Sequence, residues 1–172
     1  MSFNYPKFYP KPGYLTNKIK NDYILTNINN GSLPKNALDF SDITSLHASN
    51  DPNKPVYFWQ LYSILGEKPV EKLIRLFYTR IFNDTENSWF SQEFIEIGDV
   101  EYHVKGQKNF WLDVMGGGEY YKGTEKKLHN YHKLVKNIMT QEGANCWMNH
   151  MNKALKDIEL EKIEDKRVLS CI

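Results

Sequence analysis

Two polar side chains able to form hydrogen bonds with a ligand, His103 and Gln107, stand four residues apart. On a helix this spacing puts them on one face, and the same face then carries Phe110, Trp111 and Val114. A buried polar group needs a hydrogen-bond partner. Either the pair lies at the edge of a core, where water or backbone groups satisfy it, or a polar ligand lies against this face. The residue types alone leave both interpretations open.

Charge and cysteine content exclude several classes of function. Lysines and arginines (22) nearly balance aspartates and glutamates (21), so the positive excess of a nucleic-acid-binding protein is missing and no nucleic-acid partner is expected. Cys146 and Cys171 fit no C-x-x-C spacing, which predicts neither a disulfide framework nor a zinc knuckle. Cys171 is second from the last residue, so the prenylation pattern is not met.

The hydropathy pattern bears on membranes and location. No apolar run approaches the roughly 18 to 20 residues that span a bilayer, and the N-terminus lacks the apolar core of a secretory signal. An organelle presequence is not evident either, because the early lysines come without arginine and among prolines. We therefore expect no transmembrane segment and a cytoplasmic or mitochondrial location.

Composition divides the 172-residue chain near residue 55. Residues 1–55 hold six of the seven prolines and no sustained apolar period, which predicts an extended N-terminal arm rich in Pro, Asn and Tyr. Residues 56–160 have enough apolar and aromatic residues for one domain, and residues 161–172 form a charged tail.

Apolar spacing predicts helices in the central part. One ends at Gly66; a second has Pro69 in its first turn; a third begins after Asp99 and stops at three glycines. A short helix near residues 125–132 and a longer one from Thr140 follow. Because no segment alternates apolar and polar residues for long, the predicted class is all-α.

A series of motifs then points to a family. In order along the chain these are Phe77-Tyr78-Thr79-Arg80, Asp84, Trp89-Phe90, Gln107-Lys108-Asn109-Phe110, Met115-Gly116-Gly117, Tyr121, Leu128-x-x-x-His132 and Trp147-Met148-x-x-Met151-x-x-Ala154-Leu155. Their order and spacing resemble the truncated haemoglobins, most closely the second group, over roughly residues 57–158. The resemblance implies a two-over-two helical sandwich that binds haem b, with dioxygen or another diatomic molecule as a reversible ligand.

The resemblance also implies roles for particular residues. His132, four residues after Leu128, matches the proximal ligand of the haem iron, and a neutral imidazole suits this role. His129 is the rival and otherwise a surface or propionate-contacting residue. Where the family usually has an arginine before the proximal histidine, this chain has Tyr131, so contact with a haem propionate passes to a weaker donor or to a neighbouring lysine.

The other implied contacts surround the haem and its ligand: Tyr78, Phe90, His103, Gln107, Phe110, Val114, Tyr121 and Trp147. Of these, Tyr78 matches the tyrosine that points at the ligand, and Phe90 an aromatic that stacks on the porphyrin, with Trp89 as the alternative. His103 has three possible roles: it donates to the ligand, it binds the iron itself, or it faces solvent.

Two further functions stay open at this point. The globin domain, with or without haem, could be an accessory subunit of a larger assembly such as a mitochondrial respiratory complex, bound through residues 1–55. Alternatively, haem could support detoxification of nitric oxide or peroxide. The sequence shows no reductase domain or flavin motif that would supply electrons for such an enzyme.

Overall fold

The structure, a computed structural model, describes residues 8–122, 125–158, 165–169 and 171, without the side chains of 125–128, 131 and 169. Within these ranges the chain is helical and has no β-strand, which confirms the predicted all-α class. None of the helices described there is both long and apolar enough to cross a membrane. The α-helices are α1 Tyr14–Asn29, α2 Ser41–Thr44, α3 Leu61–Leu65, α4 Glu67–Phe82, α5 Ser88–Ile95, α6 Val100–Val114, α7 Glu125–Leu134, α8 Gln141–Asp157 and α9 Lys166–Leu169.

The chain forms two compact units. The first comprises Met1–Lys68, Asn109–Tyr121 and Ile163–Ile172, and the second comprises Pro69–Lys108 and Lys122–Lys162. These units follow spatial contacts, whereas the division into residues 1–55, 56–160 and 161–172 follows composition. That compositional division stays a prediction.

The N-terminal segment differs from the expected extended arm. Residues Tyr14–Asn29 form α1, which begins directly after the N-cap Gly13. Its buried residues are only Leu15, Thr16 and Ile24, so its apolar positions form no repeating stripe. The expectation was wrong for this segment because contacts outside the helix stabilise it, and a helix of that kind leaves no periodic signal in its own sequence.

The first unit has a small core built largely from the segment predicted as an arm. Ile24, Ala37, Ile43 and Trp59 pack together and are buried. The indole Nε1 of Trp59 donates to the carbonyl of Ile43 at 3.1 Å, which fixes the ring against α2. A sequence rich in proline and asparagine therefore forms a packed structure here by surrounding one tryptophan.

The end of the chain also contributes to the first unit. The guanidinium of Arg167 donates to three backbone carbonyls, of Ser49 at 2.9 Å and of Asp51 and Lys54 at 2.7 Å each. Asp165, itself buried, orients the guanidinium through two further hydrogen bonds of 2.9 and 2.8 Å. The loop of residues 49–54 is thus held by one side chain from α9.

The second unit contains α4, whose prediction is confirmed. Its buried residues recur at three- and four-residue spacing, as on one helical face: Val70, Leu73, Ile74, Phe77, Tyr78 and Ile81. Pro69 lies in the first turn, where its missing N–H removes no helical hydrogen bond. This face positions Tyr78 inside the unit.

The starts of α6 and α8 are fixed by caps that the sequence predicts. The carboxylate of Asp99 accepts from the backbone N–H of Tyr102 at 2.8 Å, and the hydroxyl of Thr140 accepts from that of Gly143 at 3.0 Å. After α6, Gly116 has a φ of 93°, a left-handed conformation that favours glycine.

Candidate functional site

The predicted iron ligand, His132, lies on α7 in the second unit. Its side chain is exposed, as is that of its rival His129. An exposed imidazole is accessible to a group that binds from outside the helix. The side chains of Leu128 and Tyr131, which the resemblance places beside the proximal histidine, lie outside the described residues.

Tyr78 lies within a cluster of aromatic rings in the second unit. Its ring is 5.0 Å from that of Phe77, 5.9 Å from that of Phe94 and 5.0 Å from the imidazole of His103, with which it stacks at an interplanar angle of 26°. Tyr78 itself is buried. The structure therefore brings two of the predicted distal residues, Tyr78 and His103, into direct contact.

His103 has a hydrogen-bond partner on the protein. Its side chain is only 2% exposed, and its Nε2 lies 2.8 Å from the carbonyl oxygen of Phe94. Because a carbonyl only accepts, Nε2 carries the proton and donates it. Burial lowers the pKa of His103 below its usual value, against the opposing effect of the Phe94 and Gly98 backbone carbonyls. The ring is therefore neutral near pH 7, and its role toward a haem ligand stays a prediction.

The structure describes three further predicted site residues in the second unit: Phe90, Trp147 and Gln107. Phe90 on α5 is buried, and its ring lies 5.2 Å from that of Phe94. Trp147 on α8 is half-buried and lies 5.0 Å from the ring of Phe77. Gln107 is half-buried on α6. Aromatic surface and polar donors therefore occur in the same unit, as a site for a flat apolar cofactor with a polar ligand requires.

The remaining predicted residues belong to the first unit. The rings of Phe110 and Tyr121 meet edge to face at 5.6 Å, and Val114 is buried. Burial also raises the pKa of the Tyr121 hydroxyl. The indole Nε1 of Trp111 is buried and has no hydrogen-bond partner among the residues that the structure describes. A buried N–H without an acceptor is energetically costly, so a bound group that accepts this hydrogen bond would stabilise the protein here.

A cluster that the sequence analysis did not single out lies elsewhere in the second unit. Asp84, Cys146 and His150 offer donor atoms that all lie within 4.8 Å of one another. Cys146 and His150 are one turn apart on α8, a spacing that the sequence does show. Asp84 precedes His150 by 66 positions, so only the fold reveals the third member.

Comparison with known proteins identifies relatives. The family model described as "Bacterial-like globin" matches residues 60–172. The protein named two-on-two hemoglobin-3 of Arabidopsis thaliana is 31% identical over 101 residues, which make up 56% of this chain and 54% of that protein. The chain thus spans about half the length of this curated relative. No solved structure matches the chain.

Proposed function

Because this chain belongs to the bacterial-like globin family, whose members bind haem, we propose that His132 is the proximal ligand of a haem iron and that the protein reversibly binds dioxygen or another diatomic molecule. The match over residues 60–172 supports this proposal most, since it includes α7 and the exposed imidazole of His132.

The chemistry of the described side chains fits haem. An imidazole suits the iron, and the aromatic and aliphatic side chains of Phe90, Phe110 and Val114 suit the macrocycle. The buried Nε1 of Trp111, on the same predicted face of α6 as Val114, lacks an acceptor that a bound group would supply. The chain has no C-x-x-C-H attachment motif, so the proposed cofactor is non-covalent haem b.

The haem would supply an iron with one coordination position for the diatomic ligand. The protein's part is to hold that iron through His132 and to place hydrogen-bond donors near the ligand. In the proposed site these donors are the hydroxyl of Tyr78, the amide of Gln107 and the indole N–H of Trp147. Each hydrogen bond to a ligand with partial negative charge stabilises binding by about 1 to 3 kcal/mol. A role as a subunit of a larger assembly and the cellular compartment stay predictions.

Absorbance spectra of the whole chain test the proposal. They are recorded for the ferric protein, for the protein reduced with dithionite, and for the reduced protein after addition of carbon monoxide. We expect a histidine-ligated haem that binds carbon monoxide, and a pyridine haemochrome spectrum of haem b. Failure of the wild-type protein to take up haem at one equivalent would overturn the proposal.

The ligand assignment needs a matched pair of variants. We expect His132→Gly to lose haem or the histidine-ligated spectrum and to recover it with added imidazole, whereas His129→Gly, which changes a second exposed histidine on the same helix, leaves the spectrum as in wild type. The opposite result would assign the proximal role to His129.

A further inference from the structure

The cluster of Asp84, Cys146 and His150 combines three kinds of metal-ligand atom in one place. A carboxylate oxygen, a thiol sulfur and an imidazole nitrogen lie within 4.8 Å of one another. Cys146 and His150 are buried, and the side chain of Asp84 is only 12% exposed. Three such side chains gathered under the surface differ from an exposed acidic patch, because each one loses hydration and needs a compensating partner.

The imidazole of His150 is only partly satisfied. Its Nε2 lies 2.9 Å from Oδ2 of Asp84, and its ring stacks on Phe90 at an interplanar angle of 12°. Its other nitrogen, Nδ1, is buried and has no hydrogen-bond partner among the described residues. The side chain is only 5% exposed, so bulk water does not satisfy this atom. Because Nε2 faces Asp84, Nε2 is the nitrogen that could share an ion with this carboxylate, and Nδ1 would then carry the proton of the neutral ring.

The same three residue types could instead form a nucleophilic Cys-His-Asp site, but the thiol argues against this. Cys146 is buried and is not among the residues that line the neighbouring cleft. A reactive cysteine needs a lowered pKa and access to solvent. Cys146 is therefore a poor nucleophile, whereas a metal ion can displace its proton directly.

We propose that Asp84, Cys146 and His150 bind a divalent cation of the zinc class. Thiolate and imidazole ligands select such thiophilic ions over magnesium or calcium, and a carboxylate is a usual third ligand. The set would carry two negative charges, from the thiolate and the carboxylate, and these balance the charge of the ion.

The geometry requires only small shifts of the three donor atoms. Bond lengths of about 2.0 Å to nitrogen and oxygen and 2.3 Å to sulfur place the ligand atoms of a tetrahedral zinc site roughly 3.3 to 3.6 Å apart. Oδ2 of Asp84 and Nε2 of His150 lie 2.9 Å apart and would separate slightly to admit the ion, and all three donor atoms fall within 4.8 Å of one another. A change in the Cys146 rotamer can close the remaining gap, since its side chain has a single rotatable χ angle.

The surroundings give the ion a route and an open position. A cleft of about 340 Å³ is lined by both Asp84 and His150, together with Asn87 and Asn149. Water in this cleft can fill the fourth position of a tetrahedral ion that has three protein ligands. The site is therefore accessible from solvent on the side of Asp84, although Cys146 and His150 are buried.

Two cations line the same cleft, Arg80 and Lys153. Arg80 forms an ion pair with Asp157, which offsets its charge. These two cations repel any further positive charge in the cleft. The site therefore suits a single ion whose charge is neutralised by the thiolate and carboxylate that bind it.

The test uses the whole 172-residue chain, stripped of adventitious metal with a chelator and then dialysed against graded concentrations of Zn²⁺. Bound zinc is measured by elemental analysis, which haem iron does not disturb. X-ray absorption at the zinc edge then counts sulfur ligands. We expect one zinc per chain and one sulfur at about 2.3 Å with nitrogen and oxygen at shorter distance.

The decisive variant is Cys146→Ser, which keeps nearly the same volume, with Cys171→Ser as its matched control. Cys171 is the other cysteine, lies in the first unit and donates to the carbonyl of Val56. We expect Cys146→Ser to weaken zinc binding by at least about tenfold and to lose the sulfur signal, whereas Cys171→Ser leaves both unchanged. His150→Gln should weaken binding similarly, and circular dichroism shows whether it folds.

Two results would overturn the proposal. One is a wild-type protein that retains less than one zinc per chain at micromolar Zn²⁺. The other is a Cys146→Ser variant that binds zinc within a factor of about two of wild type, because binding would then not involve the thiolate. Neither result depends on whether the protein takes up haem, so this proposal and the proposed function succeed or fail independently.

Discussion

Thr16 on α1 forms hydrogen bonds to both the backbone and the side chain of Asp113 at the end of α6. Its backbone N–H donates to Oδ1 of Asp113 at 3.2 Å, and its hydroxyl donates to the backbone carbonyl of the same residue. Both residues are buried. A Cβ at Gly13, the N-cap of α1, would overlap the Asp113 carboxylate, so this close approach requires glycine. The N-terminal helix is thus attached to a residue 97 positions later.

The first prediction concerns this attachment. Thr16→Val keeps the shape of the side chain but removes the hydroxyl, which also accepts from the N–H of Gly13 at 3.1 Å. We expect the free energy of unfolding to fall by about 1 to 3 kcal/mol, because buried groups lose their partners. Urea denaturation measures the change. Thr26→Val, at an exposed position of α1, is the control, and an equal effect of both variants would contradict the specific role of Thr16.

A second prediction follows from the charge of Asp113. Burial raises the pKa of its carboxyl, and the hydrogen bonds from Thr16 only partly oppose the rise. The folded state therefore binds the proton more tightly than the unfolded state, whose pKa is about 3.9. Stability is lost as the pH rises from about 4 through the folded-state pKa.

Asp113→Asn isolates this effect, because its amide oxygen still accepts from Thr16 and carries no charge. We expect the stability of wild type relative to the variant to decrease between pH 4 and pH 7, measured by denaturation across that range. If the difference in stability between wild type and variant were constant with pH, or had the opposite slope, the pKa of the Asp113 carboxyl would not be raised in the folded state.

His103 gives a prediction of opposite sign. Burial lowers its pKa, so the folded state disfavours the proton and stability is lost as the pH falls through the unfolded value of about 6.5. His103→Leu removes this dependence. It also leaves the Phe94 carbonyl without the Nε2 donor, at a cost of about 1 to 3 kcal/mol near pH 7.5.

Denaturation at pH 7.5 and 5.5 checks this prediction, with exposed His47→Gln as the control. The destabilisation by His103→Leu should shrink at the lower pH, and an unchanged or larger effect would contradict the assignment. The same variant tests iron ligation. A six-coordinate ferrous spectrum that becomes five-coordinate in His103→Leu would show that the imidazole leaves Phe94 for the iron.

The fourth prediction rests on the proposed haem site. Tyr78→Phe removes a hydroxyl that we expect to donate to the diatomic ligand, and loss of one such bond of about 1.4 kcal/mol speeds ligand release roughly tenfold. Flash photolysis or rapid mixing measures the release rate. Tyr102→Phe, at an exposed position of α6, should release ligand as wild type does. An unchanged rate in Tyr78→Phe would mean that its hydroxyl points elsewhere.

Helices with their own apolar stripe and caps were predictable from the sequence, and α1 was not. In α4 the stripe, and at the starts of α6 and α8 the side chains of Asp99 and Thr140, carry local signals that do not depend on the rest of the fold. By contrast, the stability of α1 depends on its hydrogen bonds to Asp113. No local sequence pattern indicates a hydrogen bond between residues 97 positions apart.

The buried face of α8 was predicted only in part. The periodic apolar positions included Met148, which is 50% exposed, whereas Cys146 and His150 are buried. A histidine becomes a core residue when a partner such as Asp84 satisfies it, and that partner belongs to a distant segment. Sequence spacing therefore identified the helix correctly but not which polar residues it buries.

The hydrogen bonds between Arg167 and the loop of residues 49–54 can form only late in the synthesis of the chain. The ribosome makes the carbonyls of Ser49, Asp51 and Lys54 at least 113 residues before the guanidinium that binds them. While translation continues, this loop has only its local contacts, since a nascent chain folds from its N-terminal part onward. A ribosome-bound chain stalled before residue 167 would expose the loop to proteases, and its protection would begin only after α9 has left the exit tunnel.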